Sequence, residues 1–151
     1  MIGLAREMIY RVRPAGPLAE TAGSPRGSRR YWQMAEAELG GPRIRARTTM
    51  PGGDWMSVGP DGFWRPDVRV QFVTDDGATV LLHYTGLVEQ NDIFKREAER
   101  AGRTEFGDHY MRMMLDFDTG APQYQWLNRS LFLAEGRLDR GWIEYAVYRV
   151  T

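Results

Sequence analysis

The fold is decided most clearly by residues 67–86, which are DVRVQFVTDDGATVLLHYTG. Two runs rich in β-branched and aromatic residues flank the Asp-Asp-Gly at residues 75–77, and this arrangement is a strong signal for a tight turn between antiparallel strands. Polar and apolar residues alternate along the first run, so one face of that strand packs against apolar neighbours. The stretch therefore predicts a β-hairpin.

Segments of the same kind recur along the rest of the chain at a spacing of roughly ten residues. Residues 31–39 suit a short helix or a strand, and one helix is predicted at residues 91–101, where Asn91 or Asp92 can cap the N-terminus and Gly102 follows the last turn. This pattern predicts an all-β fold, a small and mainly antiparallel β-barrel or a sandwich, with one short inserted helix. The further strands are expected at residues 4–12, 43–48, 55–58, 110–117, 125–135 and 142–150.

Residues 13–30 interrupt the strand pattern. They contain three prolines and three glycines, a density that neither a helix nor a central strand tolerates. We expect a long loop here, and long loops often carry function.

The composition excludes several classes of protein. The chain has 151 residues, of which 42% are hydrophobic, and this is typical of one globular domain. Twenty basic and twenty acidic residues cancel, so no net field attracts nucleic acid or a membrane surface. The alternating Arg43, Arg45 and Arg47 suit the solvated face of a strand, with nucleic-acid binding as a minor alternative. No long apolar run or secretory segment is present, and we expect a cytoplasmic protein.

Metal, nucleophile and nucleotide motifs are missing from the sequence. There is no cysteine, and the two histidines, His83 and His109, lack the spacing of metal ligands. Ser57 and Ser130 lack the Gly-x-Ser-x-Gly context of a serine hydrolase, and the glycine pairs do not form a dinucleotide or phosphate-binding loop. We predict no metal and no cofactor.

Several short motifs are informative through their order and spacing. They are GGPR at residues 40–43, PGGDW at 51–55, DVR at 67–69, TDDG at 74–77, YQWLNRSLF at 124–132 and VYRV at 147–150. Together they resemble the domain of unknown function 3237, also called the UPF 0311 family. The resemblance implies a small β-barrel with a central cavity that associates with itself, so a homo-oligomer is expected. It also implies cofactor-independent transformations of small organic molecules, including aromatic ones.

The first candidate site residues lie near the double glycine and in the hairpin. Asp54 and Trp55 follow the glycines, and a turn there can present a carboxylate beside an aromatic wall, although ordinary turn chemistry explains Asp54 equally well. The resemblance favours a position near the cavity for Asp67 and Arg69, with a surface salt bridge as the alternative.

Two further strands carry polar or aromatic candidates. His83 and Tyr84 are adjacent and point to opposite faces, so at most one of them lines a given cavity. Tyr110 and Arg112 share one face and can supply a phenol and a guanidinium, while the intervening methionines suit packing.

The C-terminal strands supply the remaining candidates. Trp126 and Asn128 share a face of the strand predicted at residues 125–135, and this pair suits a pocket wall. Glu144 lies within an apolar strand. Because an unpartnered buried carboxylate is unfavourable, Glu144 must face water or pair with an arginine.

These residues favour a cofactor-independent lyase, isomerase or cyclase that acts by proton transfer on a small aromatic or otherwise conjugated molecule in the barrel cavity. A non-catalytic carrier or sensor is the first alternative, and a self-assembling structural module with a filled barrel is the second. A desolvated titratable group beside a charge partner would favour the enzyme. The predicted catalytic set is Asp54, Arg69, Tyr84, Tyr110 and Glu144, and the predicted substrate-binding set is Trp55, Asp67, His83, Arg112, Trp126 and Asn128.

Overall fold

A computed structural model describes all residues, 1–151, and contains one antiparallel sheet of ten strands. The sheet closes into a barrel, which confirms the predicted all-β class. The strands are β1 (Leu4–Glu20), β2 (Arg29–Gly40), β3 (Arg45–Arg47), β4 (Gly52–Val58), β5 (Trp64–Arg65), β6 (Asp67–Thr74), β7 (Thr79–Val88), β8 (Met111–Asp118), β9 (Phe132–Asp139) and β10 (Trp142–Val150).

The barrel closes because every long strand has a partner on both sides. β1 pairs with β10 on one side and with β2 on the other. β2 pairs with the short strands β3 and β4, both of which also pair with β6, and β5 joins β4 to β7. Closure of this kind protects most strand edges, and the part of β1 beyond Val12 pairs with β2 alone.

Two α-helices lie at opposite ends of the barrel. Helix α1 (Asp92–Glu99) connects β7 to β8, and the Asn91 side chain caps it by accepting the Phe94 backbone N–H. This confirms the predicted helix. Helix α2 (Gln125–Asn128), preceded by a single 3₁₀ turn, connects β8 to β9. No helix combines the length and the apolar character needed to cross a membrane.

The core fills the barrel through strand alternation. Val68, Val70 and Phe72 of β6 are buried inside the barrel, as the alternating pattern predicts. Towards α2, the lumen is filled by aromatic side chains such as Phe117 and Phe132, whose ring centroids lie 5.1 Å apart. Open space inside the barrel therefore lies towards α1.

The prediction of a long loop at residues 13–30 is wrong. β1 continues to Glu20 and β2 begins at Arg29, so these residues form a long hairpin. The register of the two strands shifts between Arg13 and Pro14 and again between Ala15 and Ala19. Beyond Val12, β1 pairs with β2 alone, and an edge strand with register shifts tolerates prolines because a missing backbone N–H need not break the ladder. Residues 31–39, which are compatible in sequence with a helix or a strand, lie in β2.

The strand predicted at residues 125–135 begins too early. α2 occupies the first four of these residues, and β9 begins at Phe132. Asn128 explains the turn, because its Oδ1 accepts the Thr119 backbone N–H at 3.0 Å and its Nδ2 donates to the Thr119 carbonyl at 2.7 Å. The Asn128 side chain therefore makes the hydrogen bonds to Thr119 that a neighbouring strand would otherwise make, and it fixes the β8–β9 connection.

Candidate functional site

An apolar region made of two neighbouring cavities lies beneath α1, between the surface and the centre of the barrel. Its outer part is a cavity of about 160 Å³, and its inner part is a cavity of about 30 Å³, roughly the space of one water molecule. Trp32, Trp64, Phe94 and Ile143 line both parts. We call these two neighbouring cavities together the channel.

Asp54 lies at the inner end of the channel. The alternation of β4 turns Asp54 inward and Trp55 outward, and Asp54 is only 5% exposed. Its Oδ1 accepts the backbone N–H of Asp67 at 3.0 Å, and no arginine, lysine or histidine lines the channel. Burial raises the pKa of Asp54 from 3.8 to about 6. The hydrogen bond from Asp67 opposes this rise, and the Asp67 carboxylate adds to it. Asp54 thus exchanges its proton near neutral pH.

Three buried tyrosines cluster at the inner end of the channel, where Tyr84 and Tyr145 line the cavity and Tyr10 packs against both. The Tyr10 ring stacks on Tyr145 with centroids 5.5 Å apart, and Tyr84 meets both rings edge-on. The Tyr10 and Tyr84 hydroxyl oxygens lie 3.3 Å apart. Burial raises the pKa of Tyr84 and Tyr145 well above the ordinary value, and the Asp54 charge contributes to both rises. The phenols therefore stay neutral and can donate hydrogen bonds.

Helix α1 forms the roof of the channel. Phe94 packs edge-on against Trp64 and against the imidazole of His109, with centroids 5.9 and 5.2 Å apart. Glu97 lines the outer cavity, but Arg100 donates to it at 2.6 Å and lowers its pKa. The charge of Glu97 is therefore already compensated, in contrast to that of Asp54.

A second concavity, which we call the outer groove, lies on the outside of the barrel wall and has a volume of about 750 Å³. Trp55, Arg69 and His83 line it. Beside them, Asp67 accepts a hydrogen bond from Arg69 at 3.3 Å, and its Oδ1 lies 2.8 Å from His83 Nε2. Four of the predicted residues therefore come together here, outside the lumen. The expectation that Asp67 and Arg69 lie near the central cavity is wrong for their side chains, because their positions in β6 alternate with the inward valines.

The predicted residues Tyr110, Arg112 and Glu144 lie on other parts of the outer wall. The Arg112 guanidinium lies 5.2 Å from the centre of the Tyr110 ring. Glu144 accepts from Arg137 at 2.7 Å, so of the two predicted alternatives it takes the arginine pair. None of the three lines the channel.

Trp126 and Asn128 belong to the α2 end. Trp126 packs against Phe132 and is covered by the Arg43 guanidinium, 3.8 Å from the ring centre. Asn128 uses both ends of its amide on Thr119. These contacts are those of a closed end of the barrel.

Of the predicted residues, the structure brings only Asp54 and Tyr84 together in the channel. Sequence analysis missed Tyr10 and Tyr145 as well as the lining tryptophans. A signal for the two tyrosines exists, because each lies on the apolar face of its strand, where a phenol needs a partner. The structure forms no group of three or more His, Asp or Glu side chains that could hold a metal ion.

The chain matches the sequence profile of "Protein of unknown function (DUF3237)" over residues 6–150. It belongs to the DUF3237 family. A curated relative, a UPF0311 protein of Rhodopseudomonas palustris (strain ATCC BAA-98 / CGA009), is 29% identical over 107 residues, which cover 71% of this DUF3237 chain and 70% of the relative. A second UPF0311 protein, from Rhodopseudomonas palustris (strain TIE-1), is 29% identical over 113 residues with the same coverage.

Solved structures share the fold of this DUF3237 protein. A conserved protein of unknown function from Rhodopseudomonas palustris superposes with a TM-score of 0.87 at 23% identity, over 100% of this chain and 98% of that one. A β-barrel-like protein from Acinetobacter baumannii AYE superposes with a TM-score of 0.83 at 23% identity, over 100% of this chain and 97% of that one. An enzyme from Penicillium herquei superposes with a TM-score of 0.69 at 18% identity, over 99% of this chain and 95% of that one. At these identities the similarity establishes the barrel fold.

Proposed function

We propose that this DUF3237 protein is a cofactor-independent enzyme that transfers protons on a small, neutral aromatic or conjugated molecule bound in the channel. The observation that carries the proposal is Asp54, a buried carboxyl without a cationic partner, placed at the inner end of an aromatic-lined cavity. A carboxylate that titrates near pH 6 is matched to general base catalysis close to neutrality.

The proposed chemistry uses Asp54 and the neighbouring phenols. The Asp54 carboxylate removes a proton from an acidic C–H bond next to a carbonyl group, and the electron pair moves onto the carbonyl oxygen. A neutral phenol such as Tyr84 donates a hydrogen bond to that oxygen. Return of the proton to another carbon completes an isomerisation, and loss of a leaving group completes an elimination. Arg69 of the predicted catalytic set and Arg112 of the predicted substrate-binding set line neither cavity, so in this proposal the phenols stabilise the oxyanion.

The charge of the ligand follows from the residues that line the channel. An anionic ligand would approach Asp54 with no cation between them. Two like charges about 4 Å apart repel by about 4 kcal/mol at an effective dielectric constant of about 20. The channel therefore favours neutral ligands. Since the inner cavity has a volume of only about 30 Å³, the aromatic ring occupies the outer cavity and its polar end faces Asp54.

Deuterium exchange tests this proposal directly. The protein is incubated in D₂O with indanone, tetralone and acetophenone, which are neutral aromatic ketones with acidic C–H bonds, and exchange is followed by NMR. We expect Asp54→Asn to lower the exchange rate by about 10²-fold or more. The wild-type rate should rise with pH through about 6, because the base must be ionised. Glu144→Gln is the matched control, since it removes a carboxylate from the outer wall, and it should leave the rate unchanged.

Two outcomes would contradict the enzyme. Equal exchange by the wild type and Asp54→Asn would remove Asp54 from the chemistry. Saturable binding of these ketones without exchange would favour the non-catalytic carrier, which is our second candidate because the channel lining is mostly apolar. If none of the three ketones binds, the aromatic ligand class is wrong.

Self-association is a separate proposal, supported by apolar side chains on the outer wall. Leu87, Met114 and Leu133 are exposed and surround a shallow hollow of about 350 Å³. Exposed apolar groups of this kind favour contact with another protein surface, and we propose a second copy of this chain. Met114→Lys should then lower the mass measured by sedimentation equilibrium, and an unchanged monomeric mass in the wild type would contradict it.

A further inference from the structure

The outer groove lies on the opposite side of the sheet from the channel and takes no part in the proposed proton transfer. The cross-strand register aligns five side-chain positions in one row across β2, β4, β6, β7 and β8. These positions are Gln33, Gly53, Arg69, His83 and Asp116. Three strand spacings separate Gly53 from Asp116, so the groove extends about 14 Å across the strands. It fits an elongated ligand.

One half of the outer groove is an aromatic platform. Gly53 points outward, and a Cβ atom there would lie 2.8 Å from Tyr31 Cε2 and 3.0 Å from Trp55 Cη2. The two rings therefore occupy the space that a side chain at this position would need. Their centroids are 5.1 Å apart, and Trp55 is 50% exposed. The glycine lets two aromatic rings lie over the backbone while keeping ring surface open to a ligand.

The other half of the outer groove is polar and negatively charged. Asp67 already binds both Arg69 and His83. Asp116 and Asp118 are exposed, line the groove and form no ion pair. These two carboxylates are thus free to accept hydrogen bonds and would repel an anion.

We propose that the outer groove binds a neutral oligosaccharide of about two or three pyranose rings, a length set by the strand spacing. A pyranose ring has a face of C–H bonds, which stacks on an aromatic ring, and a rim of hydroxyl groups, which donate to carboxylates. Trp55 and Tyr31 supply the stacking surface. Asp116 and Asp118 accept from the hydroxyls of the next rings, and Gln33 adds an amide beside the platform.

Other elongated ligands fit the outer groove less well. Nucleic acids and acidic sugars would bring negative charge towards Asp116 and Asp118. An extended peptide gains most of its affinity by pairing with the edge of a sheet, and the closed barrel offers no edge at this place. A neutral sugar needs neither a cation nor a strand edge.

NMR of the tryptophan indole N–H groups tests the proposal on the intact protein. Cellotriose and chitotriose are the neutral probes, and trigalacturonate is an anionic sugar of the same length. We expect the Trp55 signal, assigned with Trp55→Phe, to shift with a Kd of about 1 mM for at least one neutral probe. Trp55→Ala removes this signal, so its binding is measured by NMR of the sugar protons, and it should be up to about tenfold weaker than that of the wild type by the same measurement. Tyr110→Ala removes an exposed ring elsewhere on the outer wall and should change nothing.

The carboxylates provide a second readout. Replacing both Asp116 and Asp118 with asparagine should weaken the binding of the neutral probe and strengthen the binding of trigalacturonate. A Trp55 signal that stays unmoved by both neutral probes at about 10 mM would overturn the proposal. Equal binding by wild type and a cooperatively melting Trp55→Ala variant would overturn it as well. Because Trp55 is half exposed, loss of folding in this variant is not expected.

Discussion

The two ends of the barrel differ in whether their polar groups have hydrogen-bond or charge partners. At the α2 end, Asn128 satisfies both backbone groups of Thr119, and the Thr119 hydroxyl donates to the Thr79 carbonyl at 2.7 Å. Asp76 accepts from the Tyr124 hydroxyl at 2.9 Å beside them. Each of these side chains has a partner, and the lumen next to them is filled.

At the α1 end, buried polar atoms lack a partner. His109 Nδ1 and Gln90 Nε2 make no hydrogen bond, and no cation lines the channel beside Asp54. Buried polar groups in folded proteins are nearly always paired, so these exceptions require an explanation. The difference indicates that side chains at the α2 end tie the backbone together, whereas at the α1 end Asp54 faces the inner cavity without a cationic partner.

The largest expected effect on stability comes from Asp54→Asn. Burial raises the pKa of Asp54 from 3.8 to about 6, so the folded state binds its proton more tightly than the unfolded chain does. Wild-type stability therefore falls as pH rises from about 4 to 6, by about 3 kcal/mol at about 1.4 kcal/mol per pKa unit. The substituted amide cannot ionise, and its side-chain oxygen can still accept the Asp67 N–H. Urea unfolding should show Asp54→Asn to be more stable than the wild type at about pH 8, with little difference at about pH 4.

A lower stability of Asp54→Asn at both pH values would contradict this account, because it would mean that the carboxylate stabilises the fold. Glu144→Gln is again the control. It breaks an ion pair with Arg137 on the outer wall, and so it should not reproduce the pH-dependent gain.

Asn128→Ala tests the other end of the barrel. The substitution removes two hydrogen bonds to the Thr119 backbone and leaves these groups without a protein partner. We expect a loss of about 2 kcal/mol in the free energy of unfolding. Gln90→Ala is the comparison at the α1 end, where Nε2 has no bond to lose. If Gln90→Ala is as destabilising as Asn128→Ala, the proposed difference between the ends is wrong.

His109 should give the smallest effect, and its pH dependence has the opposite sign to that of Asp54. The Thr104 hydroxyl accepts the Leu138 N–H, so its proton can be donated to His109 Nε2, 3.0 Å away. The imidazole proton is then assigned to Nδ1, the atom without a partner. Burial lowers the pKa of His109 below 6.5, so the folded state favours the neutral ring.

The contribution of His109 to stability is full above its ordinary pKa and is lost as pH falls through its lowered value. In the Asp54→Asn background, which removes the opposing titration, acidification below pH about 6 should destabilise the protein. Adding His109→Gln should flatten that slope in thermal melts. If the dependence of the melting temperature on pH is the same with and without His109→Gln, a group other than His109 causes it.

The hairpin and its alternation made the class of fold predictable. Val68, Val70 and Phe72 lie inside because a strand turns successive side chains to opposite faces, and the Asp-Asp-Gly turn sets the direction of the next strand. The helix at α1 was predictable for a similar reason, since the Asn91 cap is a local interaction. The long β1–β2 hairpin was not, because register shifts that depend on the partner strand accommodate its prolines.

The site was predictable only in part. Alternation separates Asp54 from Trp55 and Tyr84 from His83, but it cannot say which face is the lumen of a barrel. The prediction therefore combined residues of the channel with residues of the outer groove. Tyr10 and Tyr145 were missed because they come from strands far apart in the chain that meet only after closure.

By itself, the sequence determined most of the strands, the turn at residues 75–77, the capped helix and the membership of a barrel family, since these depend on neighbouring residues and on the order of short motifs. Only the tertiary structure decided which polar groups are enclosed. Closure of the sheet turns Asp54 away from water beside three phenols and leaves Arg69 and His83 outside. The electrostatic consequence of a side chain depends on the medium and the charges around it, and those are set by strands distant in sequence.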